Sequence, residues 1–468
     1  MFDSKLIQTY IAFSAEEKRK IRKWMNNRNV NGNDDVLLFF QFIESRKNIT
    51  PKTVTKLKVH EYLYPNTAFN DLRIRHLIWL TNEVFESFII HVSVEKQLGL
   101  KEKLLSQFYI DKGLLTHANK TIEDAIELVT DTSLKNSEFY RNIYDLDIVF
   151  YDINSRNNRN KDFKVNESIR SFTVYTIVEV LKSACIVNTI QRVMEFEAQQ
   201  YLLQSVLELL PNSDFLQIPI VRIYYNTYLV VSNEDETAFE IFITDIKQNE
   251  VLFSMQDLSN LYRSAINFCI KKSNQNIEYY SRKSFELYLY TIENGIFIEN
   301  GEINRYSFTN TISLGIKLKE FTKIETFTKQ YSTYINIIYR KNTIDFNTAK
   351  VFYAKDQHEK ALRILLTNEF KDSIWNLNAK YLVLKILFEL RNIELLEIHL
   401  KAFKTYIKRK ANIGYHKTYF TNVCNALYQL IDIYKNPAKY INYVFDKETP
   451  DIEWFNKSLL GLHSIKKK

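Results

Sequence analysis

Glycine and proline are scarce in this chain, eight and six residues among 468, and the scarcity restricts the fold. Sheets need frequent tight turns, and phosphate-cradling loops need backbone free of side chains. Long helices joined by short polar turns need neither, so an all-α fold is expected. That expectation stands against the strand-leaning propensity of 30 Tyr, 32 Phe and many Ile and Val. Cysteine is thin as well: Cys185, Cys269 and Cys424 are odd in number, far apart and without a CxxC pair. This excludes a disulfide framework and points to buried free thiols in a reducing compartment. No GxxxxGK[ST], GxGxxG or GxSxG sequence occurs. His60-Glu61 and His358-Glu359 lack the second His four residues on, so neither is an HExxH zinc site. No metal and no cofactor is expected.

Charge of a single sign is also missing. The balance is 63 basic against 55 acidic residues, net +8, with both signs dispersed. This permits an acidic or nucleic-acid partner without demanding one. The start, Met1-Phe-Asp-Ser-Lys5, carries no signal-peptide pattern. The most apolar windows, near Phe85–Val94 and Phe172–Val187, are short or interrupted by Glu179 and Lys182. No membrane insertion and a cytoplasmic location are therefore expected.

Ser14-Ala-Glu-Glu17 is a capping-box pattern opening a basic helix with Lys18, Arg19, Lys20, Arg22 and Lys23. Helices over Asp35–Glu44 and Val54–Leu63 follow, and Asn70-Asp71 caps a long one whose apolar face is Ile74, Leu77, Ile78, Thr81, Phe85 and Phe88. Three short helices before a longer one set residues 1–95 apart as an N-terminal helical cap. Arg73, Arg75 and His76, early in the long helix, would be a recognition-helix start if the pair were a helix-turn-helix. Residues 96–210 read as long helical hairpins, with turns at Gly99 and Gly113 and two long helices over Ile169–Leu210. Residues 211–300 read as further pairs, Ile220–Val231 with Thr237–Ile246 and Asn260–Ile270 with Ile277–Glu293. A last amphipathic segment near Tyr440–Phe445 precedes the basic tail Lys466–Lys468.

The clearest organisation lies in 301–468. In Val351-Phe-Tyr-Ala354, Lys355-Asp-Gln357 and His358-Glu-Lys-Ala-Leu362, a helix, a polar turn and a second helix follow one another. His358 and Ala361 put a bulky and a small residue three apart after the turn, which suits close helix packing. Phe321 with Ile324, and Ile393 with Leu396, stand in the same places; Phe321 to His358 is 37 residues and His358 to Ile393 is 35. A two-helix period in the mid-thirties indicates an α-solenoid. Tyr353-Ala-Lys-Asp-Gln-His-Glu-Lys-Ala-Leu362 resembles the tetratricopeptide repeat (TPR) family, with His358 where an aromatic is usual and Leu396 where Ala is usual. The whole chain is also similar to helical-repeat proteins of bacteria. Equivalent turns upstream, near Asp235, Ile277 and Phe321, are spaced 42 and 44 residues, longer than that family's period.

The resemblance implies a TPR-like helical-hairpin solenoid whose first helices line a concave face holding a protein partner. On that implication Asn310, Lys317, Lys350, Tyr353, Asn378 and Lys385 are candidate partner contacts. The expected function is a non-catalytic interaction scaffold. The alternative is a nucleic-acid-binding regulator using Lys18, Arg19, Arg22, Lys23, Arg73, Arg75 and His76. Aromatic-basic clusters at Tyr144, Phe150, Tyr151, Arg156, Arg159 and Lys161, and at Tyr406 to Lys417, fit that alternative, or simply solvate helix faces. Asp145-Leu-Asp147-Ile-Val149 matches a phosphotransferase DxDxV element, but its flanks are helical, so a solvated helix face is expected instead. Enzyme activity is not expected.

Overall fold

The chain is described from a computed structural model. Its described residues are 1–27, 31–155, 165–191, 197–275, 278–368, 370, 372–410, 413–414, 416–436 and 443–464. Among them are 22 α-helices and one hairpin of two-residue strands. They fall into two units, residues 1–181 with 201–221, and residues 182–200 with 222–468.

The first unit opens with α1 (Lys5–Ala12), α2 (Ala15–Met25), α3 (Asp34–Glu44), α4 (Lys56–Leu63) and α5 (Asp71–Lys96). Four short helices precede the long one, not three; α1 is the addition. The Ser14–Glu17 capping box forms in both directions, and Asn70 Oδ1 accepts from Arg73 N at 2.9 Å to start α5. Ile74, Leu77, Phe85 and Phe88 of α5 are buried against Tyr10, Ile21, Phe39, Phe40 and Phe42. One apolar stripe thus organises the bundle. A second core, including Ala118, Ile122, Val129, Leu146 and Ile153, joins α6 (Leu100–Asp111), α7 (Leu115–Thr130) and α8 (Ser137–Ser155). Gly99 and Gly113 mark the turns with φ of +80° and +74°.

α9 (Val165–Gln191) is long, but α10 (Leu203–Leu209) has seven residues and 197–202 are not helical, so the second long helix expected before Leu210 is absent among the described residues. Short 3-10 turns at Leu210–Asn212 and Asp214–Gln217 follow, where Pro211 lacks an amide hydrogen and Asn212-Ser213-Asp214 favour turns. α5 and α9 meet the length and composition of a membrane span, with mean hydropathy 1.2 and 1.3. The shorter sequence windows did not suggest this. Mostly buried core helices meet the same criterion; here 28% of each window is buried, and α5 places Ile74, Leu77, Phe85 and Phe88 in a protein core.

α11 (Pro219–Tyr228) and α12 (Glu236–Asn249) lead into α13 (Met255–Ser273) and α14 (Glu278–Glu293). A hairpin of β1 (Ile298–Glu299) and β2 (Glu302–Ile303) follows. The remaining helices pack as sequential neighbours: α15 (Arg305–Lys317) with α16 (Phe321–Tyr331), α17 (Ile337–Ala354) with α18 (His358–Thr367), α19 (Ser373–Glu389) with α20 (Ile393–Arg409), and α21 (His416–Lys435) with α22 (Ile452–Ser464).

Three of their turns are built alike. Lys319, Asp356 and Arg391 adopt left-handed φ of 60°, 57° and 60°. The amides one residue later close six-residue loops, Glu320 N to Gly315 O, Gln357 N to Phe352 O and Asn392 N to Leu387 O, at 2.8, 2.9 and 3.0 Å. These are Schellman turns. Ala361 and Leu396 are fully buried at the second of the paired positions, as their spacing required. In the first pair the small residue has changed sides: Ile324 is bulky, and Gly315 opposite makes room for it. A Cβ at Gly315 would stand 2.6 Å from Ile324 Cγ1.

Candidate functional site

Helix-spaced positions on α15, α17 and α19 face one open cleft of about 600 Å³ in the second unit. Asn310, Lys350, Asn378 and Lys385 line it, four of the six residues nominated as partner contacts. The N-caps set these helices in register. Asn304 accepts from Tyr306 N at 2.9 Å, Asn336 from Ile338 N at 3.0 Å, and Asp372 from Ile374 N and Trp375 N at 2.9 and 3.2 Å. Along each helix, cleft residues then recur every three or four positions. Between the polar groups stand Tyr306, Phe346, Trp375, Tyr381 and Leu382, with His416 contributed by α21.

Three cations surround the cleft, and two have acids. Arg305 lies 2.8 Å from Asp372 and stacks over Tyr339 and Tyr306, 4.4 and 4.9 Å from their centroids. Burial works against the Asp372 carboxylate, but Arg305 and the two cap amides outweigh it and hold the carboxyl below its usual range. Lys385 lies 2.8 Å from Asp451, which also accepts from Tyr381 Oη at 2.8 Å. Lys350 differs. Its ammonium donates to Ser313 Oγ and lies 5.7 Å from the Phe346 centroid. It has no carboxylate within 4.0 Å among the described residues. Burial with no opposing charge pushes its pKa down to about 8. Beside it, Asn347 donates to Thr309 Oγ1 and Thr343 O, both at 2.9 Å, leaving its own buried Oδ1 without a hydrogen-bond partner.

The other two nominated contacts lie outside the cleft. Lys317 donates to Ser273 Oγ at 2.9 Å. Tyr353 donates to Glu389 Oε1 at 2.6 Å, where Trp454 Nε1 also donates at 2.6 Å; His358 Nε2 stands 2.8 Å from Glu389 Oε2. Helix α22, which supplies Trp454, was missed in the sequence. Ile452, Phe455, Leu459 and Leu462 carry a helical apolar spacing that would have found it.

The basic residues of the first unit are largely paired at home. Arg73 lies 3.5 Å over the Tyr64 ring and 3.3 Å from Asp35 Oδ2. Arg75 lies 2.6 Å from Asp71, and Arg22 2.7 Å from Glu44. His76 stacks on Trp79, Lys18 lies over Tyr10, and Arg19 and Lys23 are exposed on α2. Asp145 receives Lys103 at 2.6 Å and Asp147 receives Ser168 Oγ at 2.9 Å, so both acids of the DxDxV element hold helices together. Arg156, Arg159, Lys161, Ile277, Tyr415, Tyr440 and Lys466–Lys468 lie outside the described residues. Burial pushes the thiols of Cys185, Cys269 and Cys424 up to about 12. No group of three His, Cys, Asp or Glu suited to a metal occurs among the described residues.

By class this is an all-α protein of helices packed in neighbouring pairs, compatible with a helical-repeat fold. No family model, curated protein or solved structure matches the chain.

Proposed function

We propose that the chain is a non-catalytic interaction scaffold of TPR-like construction, binding a protein partner on the face formed by α15, α17 and α19. The observation that carries the reading is the convergence of Asn310, Lys350, Asn378 and Lys385 on a single cleft. Side-chain bonds across successive pairs support the repeat construction. Asn347 donates to Thr309 and Tyr353 to Glu389, 38 and 36 residues apart. On the same helix as Lys350, Ile337 and Ile338 are 73% and 78% exposed at the start of α17, an apolar edge suited to an extended segment or a helix. The partner is therefore proposed to bring apolar side chains to that edge and polar groups to the cleft.

The test is a photo-crosslinking amino acid at Asn378, with a second at Arg19 on α2, in nuclease-treated and untreated cell extract. Specific proteins captured from Asn378 after nuclease treatment support the scaffold. Capture from Arg19 alone, lost with nuclease, would replace it with the nucleic-acid regulator.

A further inference from the structure

We propose that the cleft between α15 and α19 is a site for a small organic carboxylate with a flat apolar body, whose acid group pairs with Lys350. The inference goes beyond the scaffold reading but concerns the same cleft, where a small acid and a partner's polar groups would compete.

Its first support is charge. The chain supplies Asp372 to Arg305 and Asp451 to Lys385, yet leaves the ammonium between them with only a hydroxyl. Lys350 keeps only part of its surface exposed, and an anion that met its ammonium would make up for the water it has lost. The missing partner is therefore expected from outside the chain. A carboxylate suits an ammonium that has one hydroxyl neighbour and no second cation paired with it.

The second support is shape. The cleft runs along α19 from Ile374 to Lys385, eleven residues, or about 16 Å at the helical rise of 1.5 Å per residue. Ion pairs bound both ends, Arg305 with Asp372 and Lys385 with Asp451. The volume of about 600 Å³ falls within the range of small-molecule pockets. Phe346 and Trp375, packed edge to face 5.3 Å apart at 61° and largely buried, give a flat ligand an aromatic floor near Lys350. Asn310 Nδ2 donates to Tyr288 Oη and Asn378 Nδ2 to Ile374 O, and each amide keeps a second N–H with which to orient the ligand.

The remaining candidates in the molecule carry less. The acid cluster on Glu389 is filled by Tyr353, Trp454 and His358. The exposed apolar residues of α9 have nothing on them that indicates what would cover them.

The test uses the purified full chain. Indole-3-acetate, 1-naphthylacetate and 3-phenylpropionate are each titrated calorimetrically against their neutral primary amides. At least one acid is expected to bind with Kd below about 1 mM and at least about tenfold more tightly than its amide, the preference a charge-assisted hydrogen bond gives. Lys350→Met keeps the stem, removes the charge, and is expected to abolish the preference while the protein stays folded. Lys350→Arg is expected to retain part of it. The proposal is overturned if no acid binds below about 5 mM, if acid and amide bind equally, or if the preference survives in Lys350→Met. It is also overturned if a peptide ending in the same aromatic acid binds far more tightly than the free acid, because the cleft then belongs to the partner. Loss of crosslinking at Asn378 with acid binding intact would remove the scaffold reading alone.

Discussion

Replacing Lys350 by methionine should stabilise the second unit at neutral pH. Lowering a lysine from 10.5 to about 8 corresponds, at about 1.4 kcal/mol per tenfold change, to about 3 kcal/mol against the charged form. The residue keeps part of its surface exposed, so solvent screening reduces that figure, and the hydrogen bond to Ser313 is lost with the charge. A net gain of about 1–2 kcal/mol remains. The sign of its pH dependence follows from linkage. Below about pH 8 the folded and unfolded chains both carry the proton, and the full penalty applies. Between about 8 and 10.5 the folded chain has lost the proton while the unfolded chain keeps it, so wild-type stability climbs toward the variant. Urea denaturation of both proteins, followed by circular dichroism from about pH 6.5 to 9.5, reads the difference between them. Other titrating groups cancel in that difference. The reasoning fails if the variant is the less stable protein at pH 7, or if the gap does not narrow as pH rises. A stabilising substitution in the cleft would mean that the wild-type chain retains a costly charge there, as functional sites do.

Other substitutions test the packing. Gly315→Ala places a Cβ 2.6 Å from Ile324 Cγ1 and should cost about 1–3 kcal/mol by denaturant melt, with Gly315→Ala/Ile324→Val recovering part of it. Lys319→Gly relieves a left-handed backbone at an exposed position and should stabilise by about 0.5–1 kcal/mol; a loss would mean the Schellman turn is misread. Asp372→Asn keeps the N-cap but breaks the pair with Arg305 and should cost about 1–3 kcal/mol at pH 7. Because the Asp372 carboxyl is lowered, its contribution is present above the unfolded value near 4 and lost as pH falls through the folded one, so the variant should show a shallower loss of stability in acid. Cys269 and Cys424 are buried, with thiols pushed up to about 12, and should react with a disulfide reagent at neutral pH only after denaturation, whereas Cys185 is half-buried; rapid labelling of Cys269 or Cys424 in the folded chain would contradict their burial.

What could be read from the sequence was what periodicity and capping encode locally. The Ser14–Glu17 box, the apolar face of α5 and the spacing from Phe321 to His358 to Ile393 all rest on residues within a few turns of one another. Of the cleft, the helices and the helical spacing that brings Asn310, Lys350, Asn378 and Lys385 to its lining were legible. Its electrostatics were not. That Asp451 meets Lys385, 66 residues away, and Asp372 meets Arg305, 67 away, depends on packing that no local pattern announces. Nothing along the chain distinguishes Lys350, left without an acid, from Lys385, which has one. The shared turn geometry was hidden for a different reason: its left-handed positions hold Lys319, Asp356 and Arg391, where glycine would have flagged them.

Glu389 gives the order of synthesis a structural meaning. It collects the hydroxyl of Tyr353 from α17, lies against His358 at the start of α18, and takes the indole of Trp454 from α22. The first two are made long before the third. While the ribosome is still adding residues beyond 450, this carboxylate has one of its donors missing and Lys385 has no acid at all, each on a helix otherwise ready to pack. The second unit therefore cannot complete these two contacts until α22 has been made. A nascent chain paused short of Asp451 would lack the acid that pairs with Lys385 at one end of the cleft.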